Sequence, residues 1–145
     1  MKRPLLLMLL LVVLGTVAAC SGPAETTTAP ETAVDAAIGE LDLADTVDVQ
    51  TVASVKDRED VFVIDVREQW EYDEAHIPGV TLIPMEEVAN RLAEIPTDKE
   101  VIVTCRSGNR SGQITDFLRE QGFDNVHNMD GGILAWQAAG YDVEQ

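Results

Sequence analysis

Residues 101–112 read V-I-V-T-C-R-S-G-N-R-S-G, and this stretch decides the fold. Val101 to Thr104 have high β-propensity, and a helical pattern begins at about Ser111. A strand therefore delivers Cys105 into a short loop that closes onto a helix N-terminus. Such a loop points several backbone N–H groups at one spot, where they attract negative charge. Arg106 and Arg110 flank the same spot. Both effects favour thiolate over thiol, so Cys105 is expected to ionise below the usual cysteine range and to be the chain's best nucleophile. Gly108 and Gly112 suit a loop that must curl tightly. The plain alternative is a buried strand-end thiol packed as a small hydrophobe.

Working outward, Val61 to Asp65 is an unbroken apolar run ending in a carboxylate, the pattern of a buried parallel strand. Val47–Val49, Thr81–Ile83 and Asn125–Asn128 are shorter strand candidates. Helices are expected at Thr51–Lys56, at Met85–Ile95, from Ser111 to about Gln121 with Gly122 as its stop, and at Gly131–Ala139. The second of these places Met85, Val88, Leu92 and Ile95 at helical spacing, with Glu86 and Glu87 near its start where the dipole favours them. Strands alternating with helices predict an α/β domain: a five-stranded, mostly parallel sheet with helices on both faces. In such sheets ligands bind beyond the carboxyl ends of the strands, where Cys105 sits.

Four motifs occur in order: V-I-D-V-R-E-Q-W-E-Y at 63–72, H-I-P-G-V at 76–80, C-R-S-G-N-R-S at 105–111 and M-D-G-G-I-L-A-W at 129–136. From roughly Val47 to the C-terminus the sequence resembles the rhodanese family of sulfurtransferases, of the single-domain type. The resemblance implies a rhodanese-like fold and transfer of sulfane sulfur, from a donor such as thiosulfate to a thiophilic acceptor, through a Cys105 persulfide. It implies no cofactor. Backbone N–H groups of residues 106–111 would hold the outer sulfur, making Arg106, Ser107, Gly108, Asn109, Arg110 and Ser111 the persulfide- and substrate-binding residues. Asp65 and Arg67 would buttress the site from the rim of the neighbouring strand.

Cysteine-dependent phosphatase loops are similar but space Cys and Arg as C-x5-R around a phosphate. Here Cys105 and Arg110 are spaced C-x4-R, a shorter ring that fits a persulfide sulfur better. Arg110 is expected to close the loop and stabilise the anionic sulfur, and Arg106 to meet the anionic donor or stand as a surface side chain. Ser107 and Ser111 are hydroxyl donors to the sulfur or helix caps, a role that suits Ser111. Asp65 is either the orienting partner of an arginine or half of a structural ion pair. His76, in a turn, and His127 read as structural, because no metal-ligand spacing supports more and no metal is expected. Trp70 and Trp136 read as core in preference to site wall. The paired carboxylates Glu86 and Glu87 read as a solvated face.

The formal charge is −16. Such a field disfavours nucleic acid and anionic membrane surfaces as partners, since both need cationic patches. It also repels anionic substrates at long range, so attraction must be local, through the arginines near Cys105. A solubilising surface accounts for the acidity.

Lys2 and Arg3 precede an apolar run from Leu5 to about Val17, short of the roughly twenty residues of a membrane span. This is the pattern of a signal peptide, and Val17-Ala18-Ala19-Cys20 resembles a bacterial lipoprotein box, in which cleavage precedes an acylated cysteine. Three segments are therefore expected: a signal peptide at 1–19, acylated Cys20 with a flexible tether at 20–45, and the rhodanese-like domain at 46–145. Loss of the first removes two of the ten cations, leaving 8 against 26 carboxylates, or −18. The tether is rich in Thr, Ala, Pro and Glu, and twenty-five such residues reach roughly 25–30 Å. The protein is expected in the cell envelope, outside the cytoplasm, as a monomer held to a membrane by lipid on Cys20. Cys105 is then the mature chain's only free thiol. An unpaired thiol in a compartment that permits disulfides calls for a chemical explanation. A noncatalytic rhodanese-like module, presented to a partner on the same tether, is the competing reading of the domain.

Overall fold

The structure, a computed structural model, describes residues 41–145. The expected signal peptide, Cys20 and all but the last few residues of the tether lie outside the described residues. Strands and helices alternate along the chain: β1 (Thr46–Val47), α1 (Val49–Val55), β2 (Val61–Asp65), α2 (Gln69–Glu74), β3 (Thr81–Leu82), β4 (Glu100–Thr104), α3 (Asn109–Glu120), β5 (Val126–Met129) and α4 (Gly132–Ala138). The strands form one five-stranded sheet in the order β1-β5-β4-β2-β3. Every pairing in it is parallel, with Asp65 opposite Thr104 and Val103 opposite Asn128.

β4 occupies the middle because its side chains are apolar on both faces. Val101, Val103 and the following Cys105 join Ile114 and Leu118 of α3 in one core. Ile102 points the other way, into a core with Val52 of α1 and Ile133 and Trp136 of α4. Alternation along a strand makes this division inevitable. Each fully buried Val or Ile here contributes about 1.5–3 kcal/mol. The same alternation puts the thiol at the α3 end of its face.

Several boundaries differ from expectation for local reasons. α1 starts two residues early because the Asp48 carboxylate accepts the Thr51 N–H at 2.7 Å and caps the helix. α3 starts at Asn109, not Ser111, because Gly108 takes a left-handed conformation (φ +90°) that turns the chain before it. Gly112, expected in the loop, is therefore inside α3.

The larger departure is at Met85–Ile95, where no α-helix forms. Two 3₁₀ turns, Val88–Asn90 and Leu92–Glu94, take its place, and their N–H groups reach back three residues: Arg91 to Val88, Ile95 to Leu92. The apolar residues still face the core, with Val88 and Ile95 buried, because a spacing of three to four residues serves 3₁₀ turns as well. Pro84 and Pro96 bracket the segment, and neither can donate a backbone N–H to extend a helix.

Candidate active site

Cys105 follows β4 directly and is 1% exposed. Beyond it the chain turns through Arg106, Ser107 and Gly108 and enters α3, so the first turn of the helix closes over the sulfur. Gly108 N–H donates to Sγ at 3.2 Å and the Ser111 hydroxyl at 3.3 Å. Burial pushes the Cys105 thiol up. The Ser111 hydroxyl and the backbone N–H groups of Ser111, Ser107 and Gly108 outweigh it, and the thiol ionises below its ordinary value. Ser111 thus spends its hydroxyl on the sulfur, not on capping α3, whose N-cap is Gly108.

The M-D-G-G-I-L-A-W motif explains why those amides aim inward. At the start of α4, Ile133 N–H donates to the Cys105 carbonyl at 2.9 Å and Leu134 N–H to the Arg106 carbonyl at 3.1 Å. In a planar trans peptide the C=O and the following N–H point opposite ways. Holding the Arg106 carbonyl toward α4 therefore turns the Ser107 N–H to the other side, toward the thiol. Only glycine fits at 132. Its φ is +54°, and a Cβ there would overlap the Cys105 carbonyl oxygen and lie 2.6 Å from Arg106 C.

Arg110 stands in the first turn of α3, but its guanidinium forms a two-pronged pair with the Glu71 carboxylate, at 2.6 and 2.7 Å. That pair raises the Arg110 pKa against burial, with smaller attraction from Cys105 and Asp65. Arg110 thus meets the sulfur only as a nearby charge. Its orienting partner is Glu71, in α2, which the sequence reading did not single out. α2 itself was missed because Q-W-E-Y-D-E has no apolar stripe and buries a carboxylate in place of a hydrophobe. A signal was available in Glu68 and Glu71, since a carboxylate three residues into a helix accepts the N–H of its cap, as Glu71 does from Glu68 at 3.2 Å.

Asp65 and Arg67 form a separate buried pair at 2.7 Å. Arg67 also donates to the carbonyls of Glu71 and Ala75, tying the middle of α2 and its C-cap to the rim of β2. The remaining loop residues face outward. Ser107 and Asn109 expose their side chains, and Asn109 accepts from Gln113. Arg106 is exposed on the wall of a cavity of about 380 Å³, with Trp70, Glu74, Ile133 and Leu134. Trp136 is core, as expected, whereas Trp70 is 66% exposed and belongs to the site wall. Its place on the outward side of a six-residue helix removes it from either core. His76 stacks on Tyr72 and has Nδ1 3.0 Å from the Tyr72 carbonyl, while His127 lies between the Ala44 carbonyl and Glu100. Neither histidine is among the hydrogen-bond partners of Cys105 or the residues lining the cavity beside it.

The structure is thus a parallel α/β domain that sets one cysteine, at the carboxyl end of its central strand, among backbone and hydroxyl donors. The rhodanese-like domain family matches residues 48–139, and the chain belongs to it. A sulfurtransferase of Allochromatium vinosum is 40% identical over 87 residues, covering 60% of this chain and 81% of that protein. Thiosulfate sulfurtransferase GlpE of Pseudoalteromonas translucida is 39% identical over 83 residues, covering 57% and 79%. The crystal structure of a rhodanese-related protein from Thermoplasma volcanium is similar with a TM-score of 0.63 and 29% identity, over 70% of this chain and 98% of that one.

Proposed function

We propose that the protein is a sulfurtransferase that carries sulfane sulfur as a persulfide on Cys105. The observation that carries this reading is the set of N–H and O–H donors converging on a buried Sγ, which favours its anion. Relatives named as sulfurtransferases support it. In the first step the Cys105 thiolate attacks the outer sulfur of thiosulfate. The donor's S–S bond breaks, its electron pair leaves with sulfite, and Cys105 becomes Cys–S–S⁻. In the second step a nucleophilic acceptor attacks the outer sulfur, and the electron pair of the broken bond returns to Cys105 as thiolate. No external oxidant or cofactor enters either step.

The acidic surface repels an anionic donor, so Arg106, exposed beside the loop, supplies the local attraction. Amides 107, 108 and 111 with the Ser111 hydroxyl hold the persulfide, and Gly132 with Glu71 and Arg110 keep the loop in shape. Covalent transfer predicts ping-pong kinetics. Intact mass after exposure to thiosulfate tests the reading directly. A gain of one sulfur atom, absent from Cys105→Ser, is expected. No gain in the wild type would overturn it and leave the noncatalytic module.

We further propose that the domain works in the cell envelope, anchored by acyl groups on Cys20. The cationic start, the apolar run and the small residues before Cys20 support this. Cys20→Ser is expected to move the protein from the membrane fraction to the soluble one. An unchanged distribution would remove the anchor from the account.

A further inference from the structure

We propose that His127 and Glu100 form a proton-operated clasp on the strap of residues 41–45, closed in acid and loosened as pH rises. The clasp lies at the amino end of the sheet, and its action stands apart from the sulfur-transfer reading.

The first observation is what the His127 ring faces. Nδ1 is 2.8 Å from the Ala44 carbonyl oxygen and Nε2 is 2.7 Å from Glu100 Oε2. A carbonyl and an ionised carboxylate only accept hydrogen bonds, and a neutral imidazole has one N–H to give. Acceptors on both sides therefore require one proton more than a neutral ring and a carboxylate carry between them, held on Nε2 or on Oε2. The ring is 7% exposed, so this is a packed arrangement and not a surface encounter.

The second observation is how little else holds the strap. β1 has two residues. The Asp45 carbonyl accepts the Asn128 N–H at 3.0 Å. The Asp45 carboxylate meets Arg119 at 3.0 Å, but its side chain is 88% exposed, and solvent screens such a pair. Leu41 and Leu43 are only partly buried against the core. Segments held by few contacts open at low cost, so one hydrogen bond weighs heavily here.

The third observation concerns the neighbouring charges, none of which can replace the proton. Asp45 is engaged by Arg119 and Asp60 by Arg58. Asp98 and Lys99 border the groove that Glu100 lines. His127 is the register partner of Ile102 and shares its face of the sheet. α1 and α4, which pack on that face, carry no charged side chain within Val49–Val55 or Gly132–Ala138.

Loss of the extra proton leaves one ring N–H with two claimants. Hydrogen bonds to a charged acceptor are roughly twice as strong as neutral ones, so the N–H goes to Glu100. Bare Nδ1 then faces the Ala44 carbonyl, lone pair against lone pair, and the strap loses its fastening. The bond exists while the proton is bound, so its contribution is present in acid and lost as pH rises. Released, residues 41–45 lengthen the free chain ahead of the domain by up to about 17 Å.

Amide hydrogen exchange on the full chain, followed by NMR at a series of pH values and corrected for intrinsic base catalysis, tests the clasp. Protection of the Asn128 N–H, whose acceptor is the strap's Asp45 carbonyl, is expected to fall about tenfold or more from mildly acidic to mildly alkaline pH. The Ile83 N–H donates to the Asp65 carbonyl at the far edge of the sheet and is expected to keep its protection. Glu100→Gln sharpens the test. Its amide can donate to Nε2, which leaves Nδ1–H for Ala44 on a neutral ring. In that variant the strap is expected to stay fastened, with Asn128 protection changing less than about twofold over the same range. Constant Asn128 protection in the wild type, a fall shared equally by Ile83, or wild-type pH dependence in Glu100→Gln would overturn the proposal. If Glu100→Gln failed to fold, the contrast between Asn128 and Ile83 in the wild type would decide alone.

Discussion

β2 and β4 end side by side, Asp65 opposite Thr104, and each hands the chain through a short loop to a helix. The two loops treat charge in opposite ways. After β2, Asp65 and Arg67 are 1% and 4% exposed and bind each other through several hydrogen bonds, with the remaining guanidinium donors given to carbonyls. After β4, the charge-bearing atom is one sulfur, and its hydrogen-bond partners are a hydroxyl and peptide dipoles. Arg110, in the first turn of α3, is turned to Glu71. A carboxylate saturated by a guanidinium is inert and braces the fold. A thiol surrounded by a hydroxyl and peptide dipoles has its anion favoured without a bound counter-ion. One loop supplies rigidity, the adjoining one reactivity, and Glu71–Arg110 fastens them together.

The largest effect is expected from breaking the saturated loop. Arg67→Met leaves Asp65 buried without its partner and unties α2, which costs about 3–5 kcal/mol. Urea denaturation measures it; a loss under about 1 kcal/mol would mean that the pair does not brace the fold. Gly132→Ala comes next, because the added methyl group meets the Cys105 and Arg106 carbonyls in a left-handed conformation, at a cost of about 2–3 kcal/mol. The same change should swing the Ser107 N–H off the sulfur, so the pH midpoint of iodoacetamide alkylation rises toward that of free cysteine. Destabilisation with an unmoved midpoint would show that α4 supports the domain without aiming the amides.

The reactive loop was legible in the sequence because its parts are contiguous: strand, cysteine, glycine and helix follow within residues 101–112, and only the helix start was displaced. The β2 strand was equally plain, as five consecutive apolar or strand-ending residues admit one reading. What tied the two together was not legible. Glu71 and Arg110 are 39 residues apart, and the capping-box spacing of Glu68 and Glu71 marks a helix start but not the distant arginine that Glu71 meets. Trp70 was assigned to the core by residue type, yet a six-residue helix offers only one inward side, already taken by Glu71. At Met85–Ile95 the spacing of apolar residues identified the buried face correctly but could not distinguish an α-helix from successive 3₁₀ turns. That choice depends on Pro84, Pro96 and the space above the sheet.

Glu71→Gln cuts the fastening and tests whether it matters. The Glu71 side chain is 10% exposed and that of Arg110 29%, so solvent screens the pair in part, and the loss is expected at about 1–2 kcal/mol. The Arg110 hydrogen bond, against burial, holds the Glu71 carboxyl below its ordinary value. A carboxyl depressed by folding stabilises the protein above its unfolded pKa, and that contribution fades as pH falls through the folded one. The stability gap between wild type and Glu71→Gln should thus be full near neutrality and close in acid. A constant gap from neutral to acidic pH would contradict the assignment. With Arg110 released, Cys105 should ionise lower still, which moves the alkylation midpoint down.

Ser111→Ala is the smallest change and probes the reactive loop alone. It removes one hydroxyl from the sulfur, leaves the amides in place and keeps α3 intact, since alanine is a good helix former. Stability should alter by less than about 1 kcal/mol, because the lost hydrogen bond is local and the vacated space small. The thiol should ionise at higher pH, and alkylation at neutrality should slow by about tenfold, as befits one hydrogen bond to a charged atom. Arg67→Met and Ser111→Ala then form a crossed pair: one unfolds the protein with little change in intrinsic thiol chemistry below the transition, the other dulls the thiol in a fold that stands. If Ser111→Ala proved as destabilising as Arg67→Met, the sulfur ring would be a structural brace like its neighbour. The separation of rigidity from reactivity between the two strand ends would then be lost.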